Sequence, residues 1–285
     1  MAIKINSVKN HRERENGVLI YPVFSRRSKG LSIGINLFPD KKSCAFNCPY
    51  CEVFPFSPNE EFSVSRMEDD LRAAVKGALE KNIEIKDICF SGNGEPTLSP
   101  FFSGALKSAE SIRTELASLS RLIIITNGTG LLHERIYSLL TETAANPSVN
   151  IWLKIDAGTS EWYHKMNRSL ISHEKLKEKI KQFIFCSPVT VQTMLCAING
   201  KPPSNEENIA WENFILELAE NNESCDEGED RARGIRKVQI YGKARPAPED
   251  PLASELPQKY LEDRARSLQS VFAEKKISTP VEIYI

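Results

Sequence analysis

The chain has 285 residues, 41% of them hydrophobic and 26% charged, with a formal net charge of −1. That composition is ordinary for a globular protein of one large α/β domain or two small ones. A near-zero net charge excludes a global basic field for nucleic acid or anionic membrane, and leaves only a local patch open. The start, Met1-Ala-Ile-Lys-Ile-Asn6, lacks the long apolar core of a signal peptide, and no later run approaches a membrane span. Seven cysteines, three of them clustered, suit a reducing compartment better than a disulfide framework. The expected location is the cytoplasm.

Residues 1–30 read as a polar N-terminal arm carrying Arg12, Arg14, Arg26, Arg27 and Lys29. The arm is either solvated charge or a device that meets an anionic substrate at an active-site mouth. Pro22 and the turn at 25–27 argue against a helix there. The apolar run Ser32–Phe38 reads as the first strand and leads into Cys44-Ala-Phe-Asn-Cys48-Pro-Tyr50-Cys51. Three thiols in one short loop can converge on a soft metal centre without long-range constraint. Such a set is read two ways: a structural zinc knot whose fourth ligand is a distant His or Cys, or an iron–sulfur cubane one protein ligand short, with an iron left open for chemistry.

A proline-punctuated loop (53–58) precedes a helix with Ser65 and Glu68 as its capping box and an apolar stripe of Met67, Leu71, Ala74, Val75 and Ala78. Asp87–Ser91 is a buried strand ending in Gly92-Asn-Gly94-Glu95-Pro96. Two glycines there let backbone approach a ligand, and the carboxylate suits an ammonium group; as a bare turn the same stretch needs no ligand. A helix over 101–119, a strand over 121–126 with a turn at Asn127-Gly128, and a helix near 131–144 follow. The next strand, 150–156, puts Lys154 and Asp156 on one face, either as a structural pair or as ligand contacts. A helix marked by Leu176, Ile180, Phe183 and Ile184 leads to a β-branched strand over 189–195 that carries the buried polar Gln192.

Ser204 and Glu207 repeat the capping-box pattern before a helix with Trp211, Phe214, Ile215 and Leu218 on its face. Residues 221–234 read as an exposed loop. A strand at 237–241, a helix over 256–275 and a terminal strand at 281–285 close the chain. Alternating strands and helices imply a parallel sheet with its site at the strand carboxyl ends, where the cysteine loop, Gly92–Glu95, Asn127 and Asp156 all fall. Cys89, Cys186, Cys196 and Cys225 read as small buried hydrophobes. His11, His133, His164 and His173 show no ligand spacing and read as surface or capping residues.

Cys-x3-Cys-x2-Cys with an aromatic before the last cysteine resembles the signature of the radical S-adenosylmethionine (SAM) enzymes. Gly92-Asn-Gly94-Glu95 resembles their Gly-Gly-Glu motif, with Asn93 interrupting the glycine pair. The run from Ser25-Arg-Arg through Ser32–Leu37 to the cysteines is similar to a compact, uncharacterised group distantly like the tRNA wyosine-base synthases. The resemblance, over roughly residues 20–245, implies a partial (β/α)6 TIM-like barrel, with residues 31–285 as its domain. It implies a [4Fe–4S] cluster on Cys44, Cys48 and Cys51, with SAM on the open iron. Glu95, Gly92 and Gly94 would take the SAM amino group, Lys154 and Asp156 its carboxylate or ribose. Tyr50 would lie beside adenine, and Asn127 and Gln192 would reach SAM. It further implies a low-potential electron donor such as flavodoxin or ferredoxin, and a substrate the residues do not identify. The alternatives are a metal-stabilised RNA-binding module using Arg26, Arg27, Lys29, Arg231, Arg233, Arg236 and Lys237, and an electron-transfer protein, which would want a fourth cysteine.

Overall fold

The computed structural model describes residues 18–55, 61–220 and 233–285. His11, Arg12, Arg14, Cys225, Arg231, the end of the proline-punctuated loop and most of the 221–234 loop lie outside them. The chain divides into two compact units.

Of the described residues, the first unit comprises 18–44, 55, 61–125 and 148–150. It opens with an antiparallel hairpin of β1 (Ile20–Ser25) and β2 (Gly30–Ile35). Residues 20–25 were expected in the polar arm and are instead a strand. Pro22 is tolerated because β1 is an edge strand, where one missing N–H costs no ladder bond. α1 (Val64–Leu79) buries the five residues of the expected stripe. Its N-cap is Ser63, whose hydroxyl accepts from Arg66 N at 3.3 Å, and Ser65 falls inside the helix. Buried Phe62 and Met67 occupy the two positions of a hydrophobic staple around that cap, which fixes the start earlier than the Ser65–Glu68 spacing suggested. β3 (Ile85–Phe90) runs parallel to β2, then come α2 (Phe102–Leu116) and β4 (Arg121–Thr126), parallel to β3.

The hairpin turn decides where the basic residues go. It precedes Gly30, the amino end of β2, and the Arg27 charge is felt by Asp87, near the amino end of β3. Burial pushes the Asp87 carboxyl up, opposed by hydrogen bonds from Ser28 and Ser32 and by the Arg27 charge. Arg26, Arg27 and Lys29 therefore stand at the end of these strands opposite to Gly92–Glu95.

Of the described residues, the second unit comprises 45–54, 126–147, 151–220 and 233–285. Its elements are α3 (Glu134–Ala144), β5 (Val149–Lys154), α4 (Ser160–Met166), α5 (His173–Cys186), β6 (Pro188–Leu195), β7 (Ala197–Ile198), α6 (Asn205–Glu220), β8 (Gly234–Gly242), β9 (Ala253–Ser254), α7 (Gln258–Glu274) and β10 (Val281–Tyr284). The helix expected from residue 131 starts instead with a 3-10 turn at Thr129–Leu132. β5, β6, β8 and β10 pair in parallel, and β7 and β9 form a small antiparallel pair. α4 had not been expected; Thr159 caps it, and Trp162, Tyr163 and Met166 bury one side. Strand order is β1-β2-β3-β4 in the first unit and β5-β6-β8-β10 in the second.

β6 is buried at every position, as a parallel strand covered on both faces should be. Register separates those faces. Leu153, Val191 and Val238 align on one, where Trp211 of α6 donates to Thr193 Oγ1 at 3.2 Å. Lys154, Gln192, Gln239 and Glu282 align on the other, followed by Met194, Tyr241 and Tyr284. The polar residues thus share the face turned away from α6.

Candidate cofactor site

In the first unit the Gly92–Glu95 turn is built by a residue that the sequence reading did not single out. Asn36, buried just past β2, accepts from Asn93 N and Phe38 N at 3.1 Å each and donates to the Val18 carbonyl at 3.2 Å. Asn93 returns a bond to the Phe38 carbonyl at 3.0 Å. Ser43 then pairs along the turn: its N–H donates to Asn93 O at 3.1 Å and its carbonyl accepts from Glu95 N at 2.9 Å. A Cβ on residue 94 would stand 1.8 Å from that carbonyl, so only glycine permits the approach, and Gly92 has φ +132°. Glu95 is buried and accepts from Thr97 N at 3.2 Å and Thr97 Oγ1 at 2.6 Å, capping a short 3-10 turn. Tyr21 crosses Gly34 to hydrogen-bond Ser91, at the head of the same turn. The cue for Asn36 was available: an amide directly after an apolar strand.

In the second unit, Asp156 follows β5 and is the hub of a buried network. Its Oδ1 accepts from Met194 N at 2.9 Å. Its Oδ2 accepts from the Tyr50 hydroxyl and from Asn167 Nδ2 at 3.3 Å, and lies 3.3 Å from Lys154 Nζ. Lys154 also donates to Tyr241 at 2.6 Å, and its ammonium stands 4.9 Å from the Tyr50 ring centroid and 5.2 Å from that of Tyr241. Burial pulls the Lys154 pKa down, yet the Asp156 carboxylate, Tyr241 and Cys48 outweigh it, so the net direction is up and the lysine stays charged. Burial, together with Asp156, pushes Tyr50 up. The same two causes push the Cys48 thiol up to about 11.

The cysteine loop is tied to this network at several points. Asn167 Nδ2 reaches Cys48 Sγ at 3.6 Å, and its carbonyl accepts from Asn47 N at 2.8 Å. Ser169 donates to the Ala45 carbonyl at 3.0 Å, and Arg245 stands 2.8 Å from Glu52. Asn167, Ser169, Tyr241 and Arg245 carried no signal in the sequence, since each acts from a loop or strand end remote in the chain.

Other expected residues are placed less decisively. Asn127 is buried and accepts from Thr129 N at 3.0 Å and Thr129 Oγ1 at 2.7 Å, the Asx-turn geometry of a structural amide. Gln192 donates to Gln239 at 2.8 Å across the sheet. Cys89 and Cys196 are buried as expected, but Cys186 is exposed, because it ends α5 off the helix's apolar stripe. His173 is buried, stacked on Tyr163 with ring centroids 4.6 Å apart, and so is not a surface histidine. Of the basic group offered for RNA, Arg236 is buried, and Lys237 lies 3.6 Å from Glu282. Cys44, Cys48 and Cys51 form no disulfide. Among the described residues no three His, Cys, Asp or Glu side chains are grouped so as to hold a metal ion.

The chain can now be set beside known proteins. No family model matches it. It is similar to two curated Helicobacter pylori proteins, both called UPF0026 protein, at 34% and 33% identity over 131 residues, covering 45% of this chain and 41% of theirs. The chain thus matches less than half the length of those relatives. Among solved structures it resembles Streptococcus suis SuiB bound to S-adenosylmethionine, with a TM-score of 0.64 at 12% identity over 91% of this chain and 52% of that one. It also resembles a radical SAM methyltransferase from Sphaerobacter thermophilus, with a TM-score of 0.63 at 14% identity over 92% and 68%. The chain has the fold of the radical SAM enzymes, the partial TIM-like barrel expected from its motifs. Among the described residues no helix is long and apolar enough to cross a membrane.

Proposed function

We propose that this chain is a radical SAM enzyme, with a [4Fe–4S] cluster on Cys44, Cys48 and Cys51. The donor set fits such a group: three unbridged thiols within eight residues, one of them already accepting an N–H bond. When bound, the cluster and SAM supply reductive cleavage to methionine and a 5′-deoxyadenosyl radical that takes hydrogen from a substrate. The chain's own residues bind and orient. Glu95, with the backbone of Gly92 and Gly94, receives the SAM amino group. Lys154 offers a buried cation to the SAM carboxylate, and Asp156 orients that lysine. Tyr50 and Asn127 border the nucleoside. The reducing electron would come from a low-potential donor such as flavodoxin or ferredoxin.

The observation that supports this reading most is the junction of the two sequence signals in one network: Tyr50 and Cys48 of the cysteine loop both engage the Asp156–Lys154 group at the carboxyl end of β5. A zinc knot gives no reason for a charged lysine to be held there. The test is anaerobic reconstitution with iron and sulfide, reduction by dithionite, and addition of SAM. 5′-Deoxyadenosine should form and should disappear in Cys51→Ala. Cleavage retained in that variant would sink the assignment, and tightly bound zinc in place of iron would favour the structural module.

A further inference from the structure

Asn167 does more than end α4. It is 2% exposed, and its backbone is fixed from both sides: its N–H donates to Tyr163 O at 2.8 Å and its carbonyl accepts from Asn47 N at 2.8 Å. Its side-chain nitrogen has two hydrogens and two acceptors, Asp156 Oδ2 at 3.3 Å and Cys48 Sγ at 3.6 Å. The amide cannot be turned over, because its oxygen would then face the Asp156 carboxylate. Asp156 is itself anchored by Met194 N on its other oxygen. A rigid chain of contacts therefore runs from β6 through Asp156 and Asn167 to one sulfur of the cysteine loop.

We propose that Asn167 is the positioning residue for Cys48: it fixes the loop before any cluster binds and, once one is bound, raises that cluster's reduction potential. This rests on the cluster assignment above. An N–H directed at a thiolate sulfur withdraws charge from it, which stabilises the more negative, reduced state of the cluster. The donated bond ties Cys48 to the anchored Asp156 through protein atoms alone, which gives the loop a hold that does not depend on a metal.

Two measurements test the two halves on the full chain, comparing wild type with Asn167→Leu, which keeps the volume and loses the donors, and Asn167→Gln, which keeps a carboxamide. In the cluster-free protein, hydrogen exchange across residues 44–52 should accelerate several-fold in Asn167→Leu, while exchange in β2 and β3 stays unchanged. In the reconstituted protein, the midpoint potential followed by electron paramagnetic resonance should be more negative in Asn167→Leu and partly restored in Asn167→Gln. Unchanged exchange in the loop overturns the positioning role. An unchanged potential at wild-type iron content overturns the redox role. A wild-type chain that loads no iron defeats the cluster reading and the redox half together, and exchange then decides the positioning half alone. A Leu variant that fails to load iron is likewise judged by exchange.

Discussion

Tyr50 and Asp156 are 106 residues apart in the chain and share a buried hydrogen bond, phenol to carboxylate. Through it the loop that carries the cysteine motif is fastened to the carboxyl end of β5. The same carboxylate lies 3.3 Å from the Lys154 ammonium, so one aspartate holds both the loop and a buried cation beside it.

Removing that carboxylate should be costly. Asp156→Ala leaves Lys154 buried without its counter-charge, a loss on the order of 3 kcal/mol or more. Denaturant unfolding of Tyr50→Phe, Asp156→Asn and the double variant should give a coupling of about 1–2 kcal/mol. Strict additivity would mean that the two side chains do not act together.

Gly94 should tolerate no side chain. The Cβ of Gly94→Ala meets the Ser43 carbonyl, which is backbone and cannot swing aside, so destabilisation of about 1–3 kcal/mol is expected, with SAM affinity reduced in calorimetry. Gly104→Ala in α2 is the control. Its Cβ would meet only Val64 Cγ2 at 3.5 Å, and better helix propensity should stabilise it by about 0.5–1 kcal/mol.

His173 should make stability fall with acid. Burial, aided by the Lys177 charge, lowers its pKa from 6.5 to about 4 in the folded chain. Between those values the unfolded chain binds a proton that the folded one refuses. The histidine therefore costs nothing above pH 6.5 and destabilises progressively down to about pH 4, by a total on the order of 2–3 kcal/mol. His173→Phe should flatten that part of the profile in unfolding curves at pH 4, 5 and 7. Parallel wild-type and variant profiles would exclude His173 as the cause.

Arg27→Ala should leave 5′-deoxyadenosine yield within about twofold of wild type and cost at most about 1 kcal/mol through the loss of its charge near Asp87. A tenfold loss of cleavage would restore the basic turn to the active site.

Much of the site was legible because its signals are local. Cys44, Cys48 and Cys51 sit within eight residues, and the glycines around Asn93 announce a close backbone approach whatever surrounds them. Strand and helix periodicity placed these motifs after strands, and in a parallel sheet that alone sends them to the carboxyl ends. The α1 stripe and the β-branched run of β6 were readable for the same reason, since burial on a helix face or in a strand leaves its period in the residues themselves.

What only the tertiary structure decided is partnership. Asn36, Asn167 and Tyr241 look in sequence like ordinary turn or strand residues, and their roles come from which distant groups the fold brings to their amide and hydroxyl atoms. The place of Arg27 was not legible because charge in a sequence carries no direction, whereas an antiparallel β1 places the turn at the amino end of β2. Lys154 and Asp156 were predictable as a same-face pair two residues apart. That their charges are held under two tyrosine rings and tied to the cysteine loop required the long-range contacts, because a hydrogen bond has a partner in space and leaves no period in the chain.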